Sequence, residues 1–214
     1  EYLETRLEGS GTTLAELKEK GIYFTKRKTP LYLEENEDFH FHTPSGKVEL
    51  VSKGLADAGF DSLPVYKPQK LPPKGRLRLL FGRSPLHSFS RTANNPILYD
   101  IVPGNCLWLN PVCAKKLGLN KGDFVVVEND EGNKTNPMPL RVTNRIPEKI
   151  VYMYHGFGHN AEGLSRACCA GGNDTALIRN YTIDPISGAN GMRTEFVKVR
   201  AIDPAKEVYE CDAL

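Results

Sequence analysis

The chain has 214 residues, 40% hydrophobic and 25% charged, with 28 Lys plus Arg against 26 Asp plus Glu. This is globular composition, which excludes collagen, a coiled-coil rod and a wholly disordered chain. A net charge of +2 gives no clustered basic footprint for duplex nucleic acid, and no run of about 18 apolar residues could cross a membrane as a helix. At roughly 100–200 residues per domain, the length predicts one domain plus an appendage.

In chain order, residues 1–21 read as helical, with Thr13 and Glu16 as a capping box and Gly21 as the stop. Residues 22–40 read as loop with an acidic patch from Glu34 to Asp38, and the turn Pro44-Ser45-Gly46 leads into a short element that Gly59 closes. Four prolines between 61 and 76 predict an extended linker, which sets the domains at 1–74 and 75–214. Strands are expected at Leu77–Leu80, Cys106–Leu109, Phe124–Val127, Leu140–Val142, Lys149–Tyr154 and Glu195–Arg200, with 84–100 a polar loop. Asn110-Pro111 predicts a short helix that Gly118 ends. Short strands separated by one-turn helices point to a barrel or sandwich.

The five cysteines include no CxxC pair, so a zinc or iron–sulfur site is disfavoured and most read as small packing thiols. Three polar stretches are candidates for chemistry. Gly82-Arg83-Ser84-Pro85-Leu86-His87, followed by Ser88, Ser90 and Thr92, leaves a strand end, where ligands are commonly held. Arg can grip a phosphate bidentately, and Gly lets a ligand approach the backbone. His155-Gly156-Phe157-Gly158-His159-Asn160 follows another strand; its two glycines break the helical spacing that would pair the imidazoles on a metal. The third is Gly171-Gly172-Asn173-Asp174, with the turn-rich Asp184-Pro185-Ile186-Ser187-Gly188 beyond it. No GxSxG, P-loop or complete Rossmann glycine pattern occurs. The residues alone thus predict a β-rich domain for a phosphorylated, ring-containing ligand, and no catalytic or metal-ligating set.

Three blocks taken together resemble one family: Thr43-Pro44-Ser45-Gly46-Lys47-Val48-Glu49-Leu50; Asn110-Pro111 with Ala114, Leu117-Gly118 and Gly122-Asp123-Phe124-Val125; and the 155–160 and 184–188 stretches ahead of Phe196-Val197-Lys198-Val199. They are similar to the C-terminal end of a molybdopterin oxidoreductase of the dimethyl-sulfoxide-reductase superfamily. His-Gly-x-Gly-His and Asp-Pro-x-Ser-Gly look most like its thiosulfate, polysulfide, tetrathionate and arsenate reductase branch.

The resemblance implies a mainly β fold with short helices, a double-psi β-barrel of about six strands behind a helical or irregular N-terminal segment. It implies binding of bis(molybdopterin guanine dinucleotide) with Mo or W in the full enzyme, and none in the chain by itself. By matching position, Gly82, Arg83, His87, Ser88, Ser90 and Thr92 would line the pterin and its phosphates. His155, Gly158, His159 and Asn160 would lie beside the pterin, and Asn110 near the dinucleotide. The family's Asn two residues before the Leu of the third block falls on Thr175 here, so either Asn173, two residues earlier, takes over the contact or the contact is lost. The family's metal-ligating residue and iron–sulfur Cys motif belong to an upstream region, so a chain beginning at Glu1 reads as the last quarter or so of a catalytic subunit. The implied partners are the upstream remainder and an iron–sulfur electron-transfer subunit. The competing readings are a free-standing barrel acting as a small subunit or partner-binding module, and a single-strand nucleic-acid binder. The latter would need aromatics in a basic frame, which Phe81, Phe89 and Trp108 lack.

Overall fold

Period-two alternation builds the core. In the computed structural model, which describes residues 1–25, 32 and 40–203, β1 (Leu77–Gly82) turns Leu79 and Phe81 inward, and β2 (Leu107–Leu109) turns Leu107 and Leu109. From β3 (Phe124–Glu128), Val125, Val126 and Val127 are all buried; β4 (Met138–Val142) contributes Met138 and Leu140, and β5 (Ile150–Tyr154) contributes Val151 and Met153. A small antiparallel hairpin, β6 (Thr182–Ile183) with β7 (Asn190–Gly191), stands apart. β8 (Phe196–Ala201) brings Val197 into the same core.

The barrel closes in the order β1-β5-β2-β4-β3-β8. β1 runs parallel to β5, and β2 parallel to β4; the two parallel pairs meet through the antiparallel contact of β2 with β5. β8 closes the ring by pairing antiparallel with both β1 and β3. This six-stranded closed barrel is the double-psi barrel that the family resemblance implies.

Helices flank the strands. α5 (Pro111–Leu117) starts on Asn110, whose side chain accepts from the Val112 amide at 3.0 Å, and stops at Gly118 in the left-handed region. The polar 84–100 stretch is not wholly loop: α4 (Pro96–Ile101) starts on Asn95, which accepts from the Leu98 amide at 3.1 Å. Asn95-Pro96 is the same start signal as Asn110-Pro111, hidden by its polar neighbours.

The chain divides into two compact units, Glu1–Pro68 and Gln69–Leu214. In the first, residues 1–21 form two helices rather than one, α1 (Tyr2–Leu7) and α2 (Leu14–Lys20). Gly9 and Gly11 take φ of 74° and 83° between them, and Thr13 restarts the helix with a reciprocal capping box to Glu16. The Thr13 amide, then the Thr12 hydroxyl, hold the Glu16 carboxyl below its ordinary range. α3 (Lys53–Asp57) starts on Ser52. In the Thr43–Leu50 block, the Thr43 hydroxyl donates to the Lys47 carbonyl at 2.7 Å and the Ser45 amide to Glu49 Oε1 at 2.9 Å. None of the described residues of this unit is buried. The acidic patch Glu34–Asp38 lies outside the described residues.

Leu107, with no exposed surface, tests the core. Leu107→Ala should cost about 2–5 kcal/mol in denaturant unfolding. Ile97→Ala, on the exposed side of α4, should stay within about 0.5 kcal/mol.

Candidate functional site

Strand direction gathers the candidate loops. β1 and β5 are parallel with Gly82 opposite Tyr154, so the residues after each leave the same rim side by side. The His155 amide donates to the Gly82 carbonyl at 2.8 Å and continues the ladder one step past the strands. β2 runs antiparallel to β5, so its entry, Asn105, stands at this rim and its exit, Asn110, at the far one. Buried Asn105 donates to the Tyr154 carbonyl at 2.7 Å and clasps Gly172 from both sides, donating to its carbonyl at 2.9 Å and accepting from its amide at 2.8 Å. That pins the 171–175 stretch to the end of β5.

The three loops then meet backbone to backbone. Gly156 has φ of 93°, and a Cβ there would stand 2.6 Å from the carbonyl carbon of Phe89. Gly158 has φ of 70°, and a Cβ there would stand 2.5 Å from the Asn173 amide nitrogen. Phe89 itself has φ of 53°, an uncommon conformation for a non-glycine residue. The Gly158 amide donates to the Ala170 carbonyl at 2.9 Å, and the Asn94 side chain accepts from the Arg166 and Ala167 amides at 2.9 and 3.0 Å. The rim is therefore one body assembled from segments about 70 residues apart in sequence (Asn94 and Ala167 are separated by 73).

His155 lies at its centre. Its ring packs against Phe81 and Phe89, each with centroids 6.1 Å away. The Arg83 guanidinium lies 4.4 Å over the Phe89 ring and that of Arg193 lies 5.6 Å over Phe81. Behind His155, Nδ1 reaches both carboxylate oxygens of Asp174 at 2.9 and 3.1 Å. Below the rim, the Tyr152 hydroxyl sits where a Gly82 Cβ would be, 2.6 Å from that position. Burial pushes that hydroxyl's pKa up, Tyr154 adds to the rise and Arg193 opposes it.

The expected site residues sort into two groups. Arg83, Ser88, Ser90 and Asn160 are exposed, and among the described residues their side chains make no hydrogen bond within the protein. Nε2 of His155, Nδ1 of His159 and Nδ2 of Asn173 are likewise unspent; His159 Nε2 donates to the Gly156 carbonyl at 3.2 Å, and Asn173 Oδ1 accepts from Thr175. The others brace the rim. His87 is buried, with Nε2 donating to the Val102 carbonyl at 3.0 Å and Nδ1 facing the Thr92 hydroxyl at 3.2 Å. Thr92 also accepts from the Ser88 amide at 2.9 Å. Gly82 and Gly158 serve as close-approach positions. Asn110 does not join the group: it lies on the opposite rim, its side chain spent on capping α5 and on donating to the Ile146 carbonyl at 2.9 Å. Cys106, Cys113 and Cys168 are free thiols, and the sulfurs of Cys168 and Cys169 stand 3.6 Å apart. Cys211 lies outside the described residues. Asp184 is a turn residue, its carboxyl held low by the Ser187 amide and hydroxyl and by the Ile186 amide.

The family model of the Molydopterin dinucleotide binding domain matches residues 77–194, more than half of the chain. The chain belongs to that family. Relatives include the thiosulfate reductase molybdopterin-containing subunit PhsA of Salmonella typhimurium, 28% identical over 71% of this chain and 20% of the relative. Dimethyl sulfoxide reductase DmsA of Escherichia coli is 25% identical over 89% and 25%, and acetylene hydratase of Syntrophotalea acetylenica 28% identical over 90% and 28%. The solved structure of acetylene hydratase from Pelobacter acetylenicus superposes with a TM-score of 0.67 at 24% identity, covering 90% of this chain and 28% of that one, which shows the shared fold. The chain thus spans about a quarter of the length of the curated relatives it matches.

Within this molydopterin dinucleotide binding domain, sequence reasoning missed Phe89, Asn105 and Arg193, and it read Asn94 and Asp174 only as members of polar stretches, without their roles. The partners of Asp174 and Asn105 are distant in sequence, 19 and 67 residues away. Gly158→Ala should cost about 1–3 kcal/mol, because both the positive φ and the Asn173 backbone oppose a methyl group. Gly163→Ala, which has no heavy atom within 4 Å of its Cβ position, should leave denaturant midpoints nearly unchanged.

Proposed function

We propose that this domain is the cofactor-holding C-terminal part of a molybdenum or tungsten oxidoreductase catalytic subunit, and that its rim binds bis(molybdopterin guanine dinucleotide). The observation that carries this is the set of unspent polar groups on a backbone-welded rim: donors in the Arg83 guanidinium, the Ser88 and Ser90 hydroxyls and the Asn160 amide, with the unpartnered Nε2 of His155 beside them. This donor set fits the group. Pyrophosphate takes charge-assisted N–H and O–H donors, and a pterin ring takes imidazole and amide partners.

When bound, the cofactor supplies the transfer of an oxygen or sulfur atom, or of two electrons, to substrate. The residues of this chain hold and orient it. Arg83, held over the Phe89 ring, presents its N–H fork to phosphate oxygens. His155, His159 and Asn173 meet the ring nitrogens, while His87 and Thr92 keep the 87–92 loop in place. Within the superfamily we assign the chain to enzymes that reduce a sulfur or arsenic oxyanion or polysulfide. The thiosulfate reductase relative and the His-Gly-x-Gly-His run favour this. We further propose that the upstream remainder of the subunit and an iron–sulfur electron-transfer subunit are its partners, and that the chain alone is inactive. The first unit favours such a covering partner, since none of its described residues is buried while Phe24, Leu50 and Tyr66 are each at least 80% exposed.

The test is cofactor retention in the full-length subunit. Wild-type enzyme should copurify with Mo or W and guanine dinucleotide. Arg83→Ala should weaken retention about ten- to a hundredfold, the value of hydrogen bonds to a charged partner. Full occupancy in Arg83→Ala, or wild-type enzyme without pterin, overturns the assignment.

A further inference from the structure

Asp174 is the one acidic residue with no exposed surface among those described. Its carboxylate has a single partner among the described residues, the Nδ1 of His155, shared between both oxygens at 2.9 and 3.1 Å. A proton on the nitrogen, pointing between two oxygens, fits this forked geometry; a carboxylic O–H aimed at nitrogen would favour one oxygen. A buried carboxylate without a partner costs several kcal/mol, so the pair is held in this arrangement. The position of Asp174 is fixed on both flanks. Asn105 clasps Gly172, and Asn129 donates to the Leu177 carbonyl at 3.1 Å. The Asp174 carbonyl itself accepts from the Leu177 amide at 3.1 Å.

We propose that Asp174 is a positioning residue that imposes the Nδ1–H tautomer on His155, so that the atom presented at the rim is an Nε2 that accepts from a ring N–H or amino donor. A histidine's tautomer is set by the hydrogen bond its other nitrogen makes. The same logic gives His87 the opposite form: Nε2 donates to the Val102 carbonyl, which can only accept. In the neutral state, then, His155 is built to read a donor on a heterocycle, and the phosphates fall to the flanking guanidinium of Arg83. This deepens the cofactor assignment and rests on it for the identity of the ligand, while the tautomer itself can be measured without ligand.

The experiment is side-chain nitrogen NMR on the full chain labelled with nitrogen-15 at its five histidines. At a pH where the rings are neutral, His155 should show the Nδ1–H pattern, with His87 showing Nε2–H as an internal contrast. In Asp174→Asn the shape is kept but the side-chain amide can donate, so His155 should switch to Nε2–H while the His87 signals stay in place. A wild-type His155 in the Nε2–H form overturns the proposal whether or not the variant folds, and so does a variant that folds with the tautomer unchanged. In the full-length subunit, Asp174→Asn should lower dinucleotide retention about tenfold, as losing an outer partner of a ligating histidine does. Retention equal to wild type overturns the ligand-facing role. Should wild-type subunit carry no pterin at all, the cofactor assignment fails while the NMR result on Asp174 stands by itself.

Discussion

The parallel register of β1 on β5 is the constraint from which the rest of the domain follows. Because Gly82 faces Tyr154 in a parallel ladder, two loops far apart in sequence emerge together, and the amide of His155 completes the ladder on the Gly82 carbonyl. An antiparallel pairing would have sent them to opposite ends. The antiparallel entry of β2 then sets Asn105 at the same rim, and its side chain draws the 171–175 stretch in. Three loops that would be ordinary surface connections by themselves become a single polar platform.

Electrostatics and packing divide the work on that platform. Phe81 and Phe89 both pack against the His155 ring, and each has a guanidinium over its own ring. The aromatic faces orient the cations without consuming their N–H groups, which stay available to an anion. Buried His87 and half-buried Thr92 spend their polar atoms internally. A residue's type in the loop therefore does not tell whether its polar atoms are spent inside the protein or left free; the hydrogen bonds do.

The strands were legible because their apolar residues alternate, and the capped α2 and α5 because Thr13 with Glu16 and Asn110 with Pro111 are local signals. α4 carried the same local signal in Asn95-Pro96, but its polar context masked it, and the break between α1 and α2 needed the left-handed glycines at 9 and 11 to be weighed as a pair. The β6–β7 hairpin has an exposed face on both sides, so it offers no alternation to read. At the site, Arg83 and His155 stood out because they follow strand ends, whereas Asp174 and Asn105 act through tertiary contacts that no spacing encodes. Asn110 marks a helix start faithfully in the sequence, but which rim that start occupies depends on the direction of β2 relative to its neighbours.

The glycine contacts have a thermodynamic consequence. Where Gly156 lies on the Phe89–Ser90 backbone and Gly158 on Asn173, the loops cannot rearrange separately, so the conformational entropy of arranging them is lost during folding and not again on association. Such preorganisation favours tight retention of one large ligand over adaptability to many. It fits a domain whose relatives carry names as different as thiosulfate reductase and acetylene hydratase.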